Sequence, residues 1–345
     1  MRYRAILAGC GAMSKGWLRA IADTPYLSEN VEIVGLVDLN LAAAQERAEE
    51  FSLAVPVGSD LAAMLDQLNP DIVFDVVIPQ ARQSLVVTAL NHGCHVLSEK
   101  PMAQSLSDAQ GLLALSTDTR LVHAIIQNRR FNMGIRRLKR FIDDGHLGEI
   151  TAIHADFFVG AHFGGFREAM DNVLLLDMAI HTFDAARFLA GSKPTAVYCH
   201  ETNPKGSWYR HGAAANAIFE FENDLTFTYR GSWSAEGANT SWESGWRIIG
   251  TKGTVLWDGY EKFEANIVSG TDGFFRPLKP VEVPAPAFVE QTNGHASVLS
   301  DFVGALRADT RPETDNHDNI NSLAMVLSAI ESARTQSRVR IDPGA

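Results

Sequence analysis

Three groups of residues combine types and spacings that could do chemistry. The first is the run Gly9, Cys10, Gly11, Ala12, Met13 and Ser14, a G-x-G-x-x-G spacing with serine in the last place. Gly9 allows a tight turn, Gly11 lets the backbone approach a pyrophosphate, and the small Ser14 permits close packing of helix on strand. The second group is Glu99, Lys100 and Pro101, a lysine directly after an apolar strand and held by a following proline. An ammonium aimed into a crevice suits proton transfer, and the competing reading is a solvated lysine at a strand end. The third is Asp177, His181 and Asp184, at i, i+4 and i+7 within the apolar run 173–189. One polar stripe on a buried helix is costly unless its members are paired or at work. An Asp–His pair could move a proton, or it could hold two helices together.

The elements that must position these groups follow from patterning. Strand 4–7 precedes the glycines, and an apolar-periodic helix through Trp17, Leu18 and Ile21 follows them. That helix N-terminus offers N–H groups and the positive end of its dipole to phosphate. Strand 31–37 ends at Asp38, placed to hydrogen-bond both hydroxyls of an adenosine ribose and to repel a 2′-phosphate. Leu39 and Asn40 bring no arginine to offset that repulsion, so NAD is expected over NADP. A capping part for Asp38 before helix 41–51 is the alternative. Helix 61–68, a turn at Asn69, Pro70 and Asp71, strand 72–78, helix 81–92 and strand 95–98 follow. Continuously apolar strands alternating with helices predict a parallel doubly wound sheet, whose ligands bind beyond the strand carboxyl ends. Residues 9–14, Asp38, Pro79 with Gln80, and Glu99 with Lys100 all fall at such ends.

Strand 121–126 closes a first domain, 1–126, and a second runs over 127–345. The second opens with Gln127, Asn128, Arg129, Arg130 and Phe131, whose arginines could face phosphate, substrate or solvent, and continues in helix 135–144. Strands 150–159, 213–221, 225–233, 247–250 and 254–257 are then punctuated by hairpin-type turns, and the longer ones alternate apolar with polar residues. This predicts an antiparallel sheet with two different faces, one packed on helices. The other face, if broad and apolar, would need a partner subunit. Arg167 and Arg210, in loops, could bind an anionic substrate group or be solvated; Trp208, Trp233, Trp242 and Trp246 could stack on a sugar or serve as core. Helices 296–307 and 318–335 close the chain, and 343–345 should fray.

Composition narrows the class. Of 345 residues, 46% are hydrophobic and 21% charged, which suits a soluble globular protein, and a net charge of −11 argues against a broad nucleic-acid surface. No apolar run reaches the roughly 18 residues of a membrane helix. The start of the chain reads as strand rather than signal peptide, so a cytoplasmic location is expected. Cys10, Cys94 and Cys199 are unpatterned and expected as buried thiols, and no zinc-type spacing surrounds His181, so no metal is expected.

The segment GCGAMS, the strand-ending Asp38, the strand closing in IPQ and the run HVLSEKPMAQSL together resemble the Gfo/Idh/MocA family of NAD(P)-dependent oxidoreductases. The resemblance implies an α/β protein: an N-terminal Rossmann doubly wound parallel sheet and a C-terminal α+β domain with a large, mainly antiparallel open sheet. It implies cofactor contacts from Gly9, Gly11, Ala12, Met13, Ser14, Asp38, Ile78, Pro79, Gln80, Glu99 and Lys100, with Glu99 at the nicotinamide ribose and Lys100 in catalysis. The family pattern T-P-N-x-x-H reads here as Ile78, Pro79, Gln80 and Gln83. The spacing D-x-x-x-H matches the family helix carrying a substrate-binding aspartate and a general-base histidine, here Asp177 and His181, with Asp184 orienting or capping. Arg130 falls near the family's active site, and with Arg167 is a candidate substrate contact. A homodimer or homotetramer through the second sheet is implied as well. The expected activity is NAD-dependent oxidation of a secondary hydroxyl of a sugar, glycoside or cyclitol. Its rivals are glycoside cleavage through transient oxidation and elimination, and a non-catalytic cofactor-sensing regulator.

Overall fold

The computed structural model describes residues 2–344 and divides into two compact units. The first holds the chain up to Asn128, together with Asn293–Leu323 and the chain end from Pro343; the second holds Arg129–Thr292 and Ala324–Asp342. A single cut at 126 therefore does not describe the chain, which returns to its first unit. Periodicity identifies a C-terminal helix but not the apolar face that it covers.

In the first unit, strands β1 (Tyr3–Ala8), β2 (Val31–Val37), β3 (Val57–Gly58), β4 (Ile72–Asp75), β5 (His95–Ser98) and β6 (His123–Ile125) form one sheet in the order β3-β2-β1-β4-β5-β6. Every pairing in it is parallel. Helices α1 (Ser14–Asp23), α2 (Pro25–Asn30), α3 (Leu41–Glu50), α4 (Leu61–Leu68), α5 (Pro79–Asn91) and α6 (Leu106–Thr119) make the crossovers. The central strands are buried on both faces, as their unbroken apolar runs require: Ile6, Leu7, Leu36, Val73, Phe74 and Val96 are wholly enclosed. The short α2 and the two-residue β3 carry no pattern strong enough to be read from the sequence, whereas α6 has a capping signature, Ser105 followed by Asp108, that a reading by apolar periodicity missed. Helix α6 is started by Ser105, whose hydroxyl accepts from the Asp108 amide at 3.1 Å.

In the second unit, α7 (Met133–Asp143) leads to β7 (Ile150–Phe158) and, after a loop, to α8 (Ile180–Ala190). Then come β8 (Pro194–Thr202), β9 (Ala214–Phe221), β10 (Thr226–Ser232), β11 (Gly245–Gly250), β12 (Gly253–Trp257), β13 (Phe263–Val268) and β14 (Leu278–Pro280). Helix α9 (His295–Ala308) lies in the first unit against α1 and α2, and α10 (Asn316–Thr335) is divided between the units after Leu323. The last strand, β15 (Val339–Arg340), completes a nine-stranded sheet in the order β14-β13-β12-β11-β7-β10-β9-β8-β15. Its pairings are antiparallel except for β7 with β10, which run parallel from Thr226 opposite Ala152 to Ser232 opposite Phe158.

Strict alternation buries one face of this sheet. Phe183 of α8 meets the rings of Phe219, Phe227 and Tyr229 edge-on at 4.7, 6.0 and 5.2 Å. The opposite face is mixed rather than broadly apolar. It carries an Arg230–Asp156 pair at 2.7 and 2.5 Å beside half-exposed Tyr198 and Ile218. A hollow of about 630 Å³ lies there, lined by His154, Asp156, Arg230, Trp246 and Arg247 among others. The three cysteines are buried thiols. Pro343 is tied by a 2.9 Å hydrogen bond from Gln110 rather than frayed, and Ala345 lies outside the described residues. Among the described residues no helix is long and apolar enough to cross a membrane.

Candidate active site

The carboxyl edge of the parallel sheet collects the glycine loop, Asp38, Ile78–Gln80 and Glu99–Lys100. Gly9 has φ +96°, the left-handed region that favours glycine, and a Cβ there would meet the Val76 and Val77 backbone at 2.5–2.7 Å. A Cβ on Gly11 would meet nothing within 4 Å. The loop thus has an open flank at Gly11, beside the N-terminus of α1, where a pyrophosphate fits. Asp38 is half-buried; its carboxylate accepts from the Cys10 amide at 2.7 Å and the Asn40 amide at 2.8 Å. It therefore braces the glycine loop directly. Helix α3 begins after Asn40, so Asp38 is not its cap.

Ser14 is fully buried, and its hydroxyl donates to the Gly11 carbonyl at 2.6 Å while accepting from Arg47 Nε at 2.9 Å. Arg47, on α3, also reaches the carbonyls of Cys10 (3.1 Å) and Gly11 (3.3 Å). Serine in the third glycine place is thus a bonded member of the loop, and Arg47 laces the loop from beneath. Reading by spacing missed Arg47. The available signal was a charged residue beside the buried Ala44 and Ala48. Ala12, Met13, Ile78 and Gln80 present exposed side chains at the same edge, and Pro79 is half-buried.

Glu99 is buried, and its carboxylate accepts from the Trp17 indole at 2.9 Å. His295 Nε2 stands 3.9 Å away, and Asn128 holds the other His295 ring nitrogen at 3.2 Å. Burial pushes the Glu99 carboxyl up, but His295, the Trp17 hydrogen bond and the charge of Lys100 together outweigh it and hold it below the usual carboxylate value. Glu99 is therefore a fixed anion beside half-buried Lys100. Neither Trp17 nor His295 was singled out in the sequence as a partner of Glu99; both lie far from it along the chain.

In the second unit, residues Leu174–Ala179 form a π-helical turn that runs directly into α8. Such turns reset which way the following side chains point and recur at functional sites. Asp177 lies in this turn and accepts from Arg167 Nε at 2.8 Å. The Arg167 guanidinium sits 5.0 Å from the Phe163 ring and 4.9 Å from the Phe166 ring. His181, on the first turn of α8, is mostly buried and lines a small recess with Arg129, Met178, Thr182, Trp242, Glu243 and Trp246. Arg129 pairs with Glu243 in that recess. Trp242 and Phe163 are each more than 40% exposed, so an aromatic wall borders the stripe.

Asp184 is buried and accepts from Arg130 Nε at 2.8 Å and Nη2 at 2.5 Å. Arg130, only 2% exposed, is thus turned to Asp184. Arg210 is exposed, and Trp233 is core, edge-on to Phe157 at 5.1 Å.

Residues 3–125 match the model of the oxidoreductase family with an NAD-binding Rossmann fold, and residues 135–256 match the GFO/IDH/MocA C-terminal domain. The chain belongs to the Gfo/Idh/MocA family. It is 25% identical over 350 residues to a D-apiose dehydrogenase of Paraburkholderia graminis, covering 99% of this chain and 90% of that one. It is 22% identical over 356 residues to an inositol 2-dehydrogenase of Rhizobium meliloti, covering 99% and 100%. Among solved structures it is similar to an oxidoreductase from Agrobacterium radiobacter in complex with NAD+, L-tartaric acid and magnesium, with a TM-score of 0.86 at 19% identity and 99% coverage of both chains. As a family member this chain is an NAD-binding oxidoreductase with the two-sheet architecture described above.

Proposed function

We propose that this family member oxidises a secondary hydroxyl of a sugar, glycoside or cyclitol, with NAD as acceptor. The observation that carries the reading is the fit of the sheet edge to a dinucleotide. A tight turn at Gly9, an open flank at Gly11, the carboxylate of Asp38, and Glu99, held by Trp17, with Lys100 directly after it all stand at strand carboxyl ends. Relatives that act on apiose and inositol support the substrate class. When bound, the nicotinamide would accept the hydride released from the substrate carbon.

The chain's own residues would do the rest. His181 takes the hydroxyl proton as general base. Lys100 donates a hydrogen bond to the same oxygen and stabilises the negative charge that develops there. Asp177, held by Arg167, grips a neighbouring hydroxyl and fixes the orientation of the ring. Asp184 and Arg130 hold the helix that carries His181. The protein would work as a homodimer or homotetramer through the open face of its second sheet, in the cytoplasm.

The test is a screen of NADH formation, followed by absorbance, against a library of sugars, glycosides and inositols. Net NADH formation with one substrate class supports the reading. Bond cleavage without net NADH, or NAD binding with no turnover across the library, refutes it.

A further inference from the structure

Arg82 was not expected to act, yet it occupies the centre of the sheet's carboxyl edge. It stands on the first turns of α5 and is only 1% exposed. Its guanidinium donates in three directions: Nε to Asp75 Oδ2 at 2.8 Å, Nη2 to the Val77 carbonyl at 2.7 Å and Nη1 to the Pro101 carbonyl at 2.6 Å. Asp75 is itself fully buried at the end of β4, with Oδ1 accepting from the Val77 amide at 3.1 Å. The Ser98 hydroxyl also donates to Asp75. His123 Nε2 lies 3.1 Å from that hydroxyl oxygen, whose proton is already committed, so the ring presents Nε2–H to it. Burial, with Arg82 nearby, lowers the His123 pKa to about 3, so the ring is neutral.

The two carbonyls matter by position. Val77 immediately precedes Ile78, Pro79 and Gln80, and Pro101 immediately follows Lys100. Strands β4 and β5 are hydrogen-bonded neighbours, with Asp75 opposite Ser98, and the last backbone bond between them runs from the Glu99 amide to the Asp75 carbonyl at 2.8 Å; past Glu99, among the described residues, no backbone bond links segment 76–80 to segment 100–103. One planar fork, itself fixed by a buried carboxylate, spans that gap. A purely stabilising ion pair would need only Asp75.

We propose that Arg82 is a positioning residue: through the Pro101 carbonyl it sets the place of Lys100 relative to the cofactor-lining segment 78–80. The proposal rests on the reading of Lys100 as a catalytic residue. Displacing a reacting group by about 1 Å costs on the order of 100-fold in rate. Lysine in place of Arg82 keeps the charge beside Asp75 but cannot span three acceptors.

The experiment is a double-mutant cycle of R82K and K100M, read with the substrate identified by the screen and with thermal melting of each protein. K100M alone should lower kcat at least 100-fold. R82K alone should lower kcat about 10- to 100-fold with KM changed less than about threefold, and this effect should vanish in the K100M background. A second readout uses the ligand-free protein. The rate at which Lys100 is acetylated by acetic anhydride, followed by peptide mass spectrometry, should change at least threefold in R82K while that of surface Lys15 does not. Additive kinetic losses, or an unchanged acetylation rate at Lys100, overturn the proposal. Full activity of K100M overturns the reading of Lys100 and the proposal with it, so the two failures are distinct. If R82K does not fold, the pair D75N/R82Q removes both buried charges together and is put through the same cycle.

Discussion

Two glycines in one loop should fail in different ways when a methyl group is added. At Gly9 the backbone is left-handed, φ +96°, and the new Cβ would stand 2.5–2.7 Å from the backbone of Val76 and Val77. The conformational penalty is about 1–2 kcal/mol. Shifting backbone atoms that cannot rotate away costs roughly another 1–3 kcal/mol. Gly9→Ala should therefore lose about 2–5 kcal/mol of stability, a drop of roughly 5–15 °C in the melting of the first unit. At Gly11 the same methyl meets nothing within 4 Å, so Gly11→Ala should melt within a few degrees of the wild type. It would nevertheless occupy the flank reserved for the pyrophosphate. A loss of about 1–3 kcal/mol in NAD binding corresponds to roughly a 5- to 150-fold weaker Kd. Calorimetric melting and titration with NAD read both quantities on the same samples. The reasoning is refuted if Gly11→Ala binds NAD as the wild type does, or if Gly9→Ala melts and binds unchanged.

Asp38→Ser should narrow the preference for NAD over NADP by removing a negative charge from the ribose end. It should also weaken NAD itself, because the brace on the Cys10 amide is lost; a Kd ratio that stays constant contradicts this. Trp17→Phe removes the indole donor to Glu99, whose carboxyl is held low in the folded protein. The stabilisation from that group is present above the ordinary glutamate pKa and is lost as pH falls through the depressed one. The variant should therefore lose stability at a higher pH on acidification than the wild type, as read by tryptophan-independent circular dichroism. Glu201 behaves oppositely. Burial raises its carboxyl to about 7, the Asn172 hydrogen bond opposes this and Asp171 adds to it, and among the described residues its Oε1 has no hydrogen-bond partner. Its contribution is full below the ordinary glutamate pKa and is lost as pH rises through about 7. Discounted for its partial exposure, that loss is about 1–2 kcal/mol between about pH 5 and about pH 8. Denaturant titrations of Glu201→Gln should show a correspondingly flatter pH dependence, and an unchanged slope contradicts the assignment.

What could be read from the sequence was what local order encodes. Residues 33–37 and 72–74 are apolar without a break because both faces of β2 and β4 are covered there, and that marked the parallel sheet and its ligand-binding edge. The stripe of Asp177, His181 and Asp184 was visible because an apolar run makes each charge conspicuous. Three things had no local signature. Trp17 reaches Glu99 across 82 residues, Arg47 reaches Cys10 across 37, and Arg82 reaches Pro101 across 19, so no periodicity could announce these bonds. The π-helical turn at Asp177 leaves the apolar pattern nearly unchanged while altering the direction of the side chains. Helix α9 reads as an amphipathic closing helix, yet its apolar face is committed to α1 and α2, far back in the chain. Arg130 looked available in an arginine pair, and only the fold showed its guanidinium bonded to Asp184.

The central claim is that a histidine on α8 takes the substrate's proton while NAD is held by the parallel sheet. It is tested most directly by the rate of NADH formation in His181→Ala, measured at saturating NAD and substrate beside the Kd for NAD. The account predicts a fall of about 100- to 10,000-fold in turnover with NAD binding unchanged. Turnover equal to that of the wild type would contradict it.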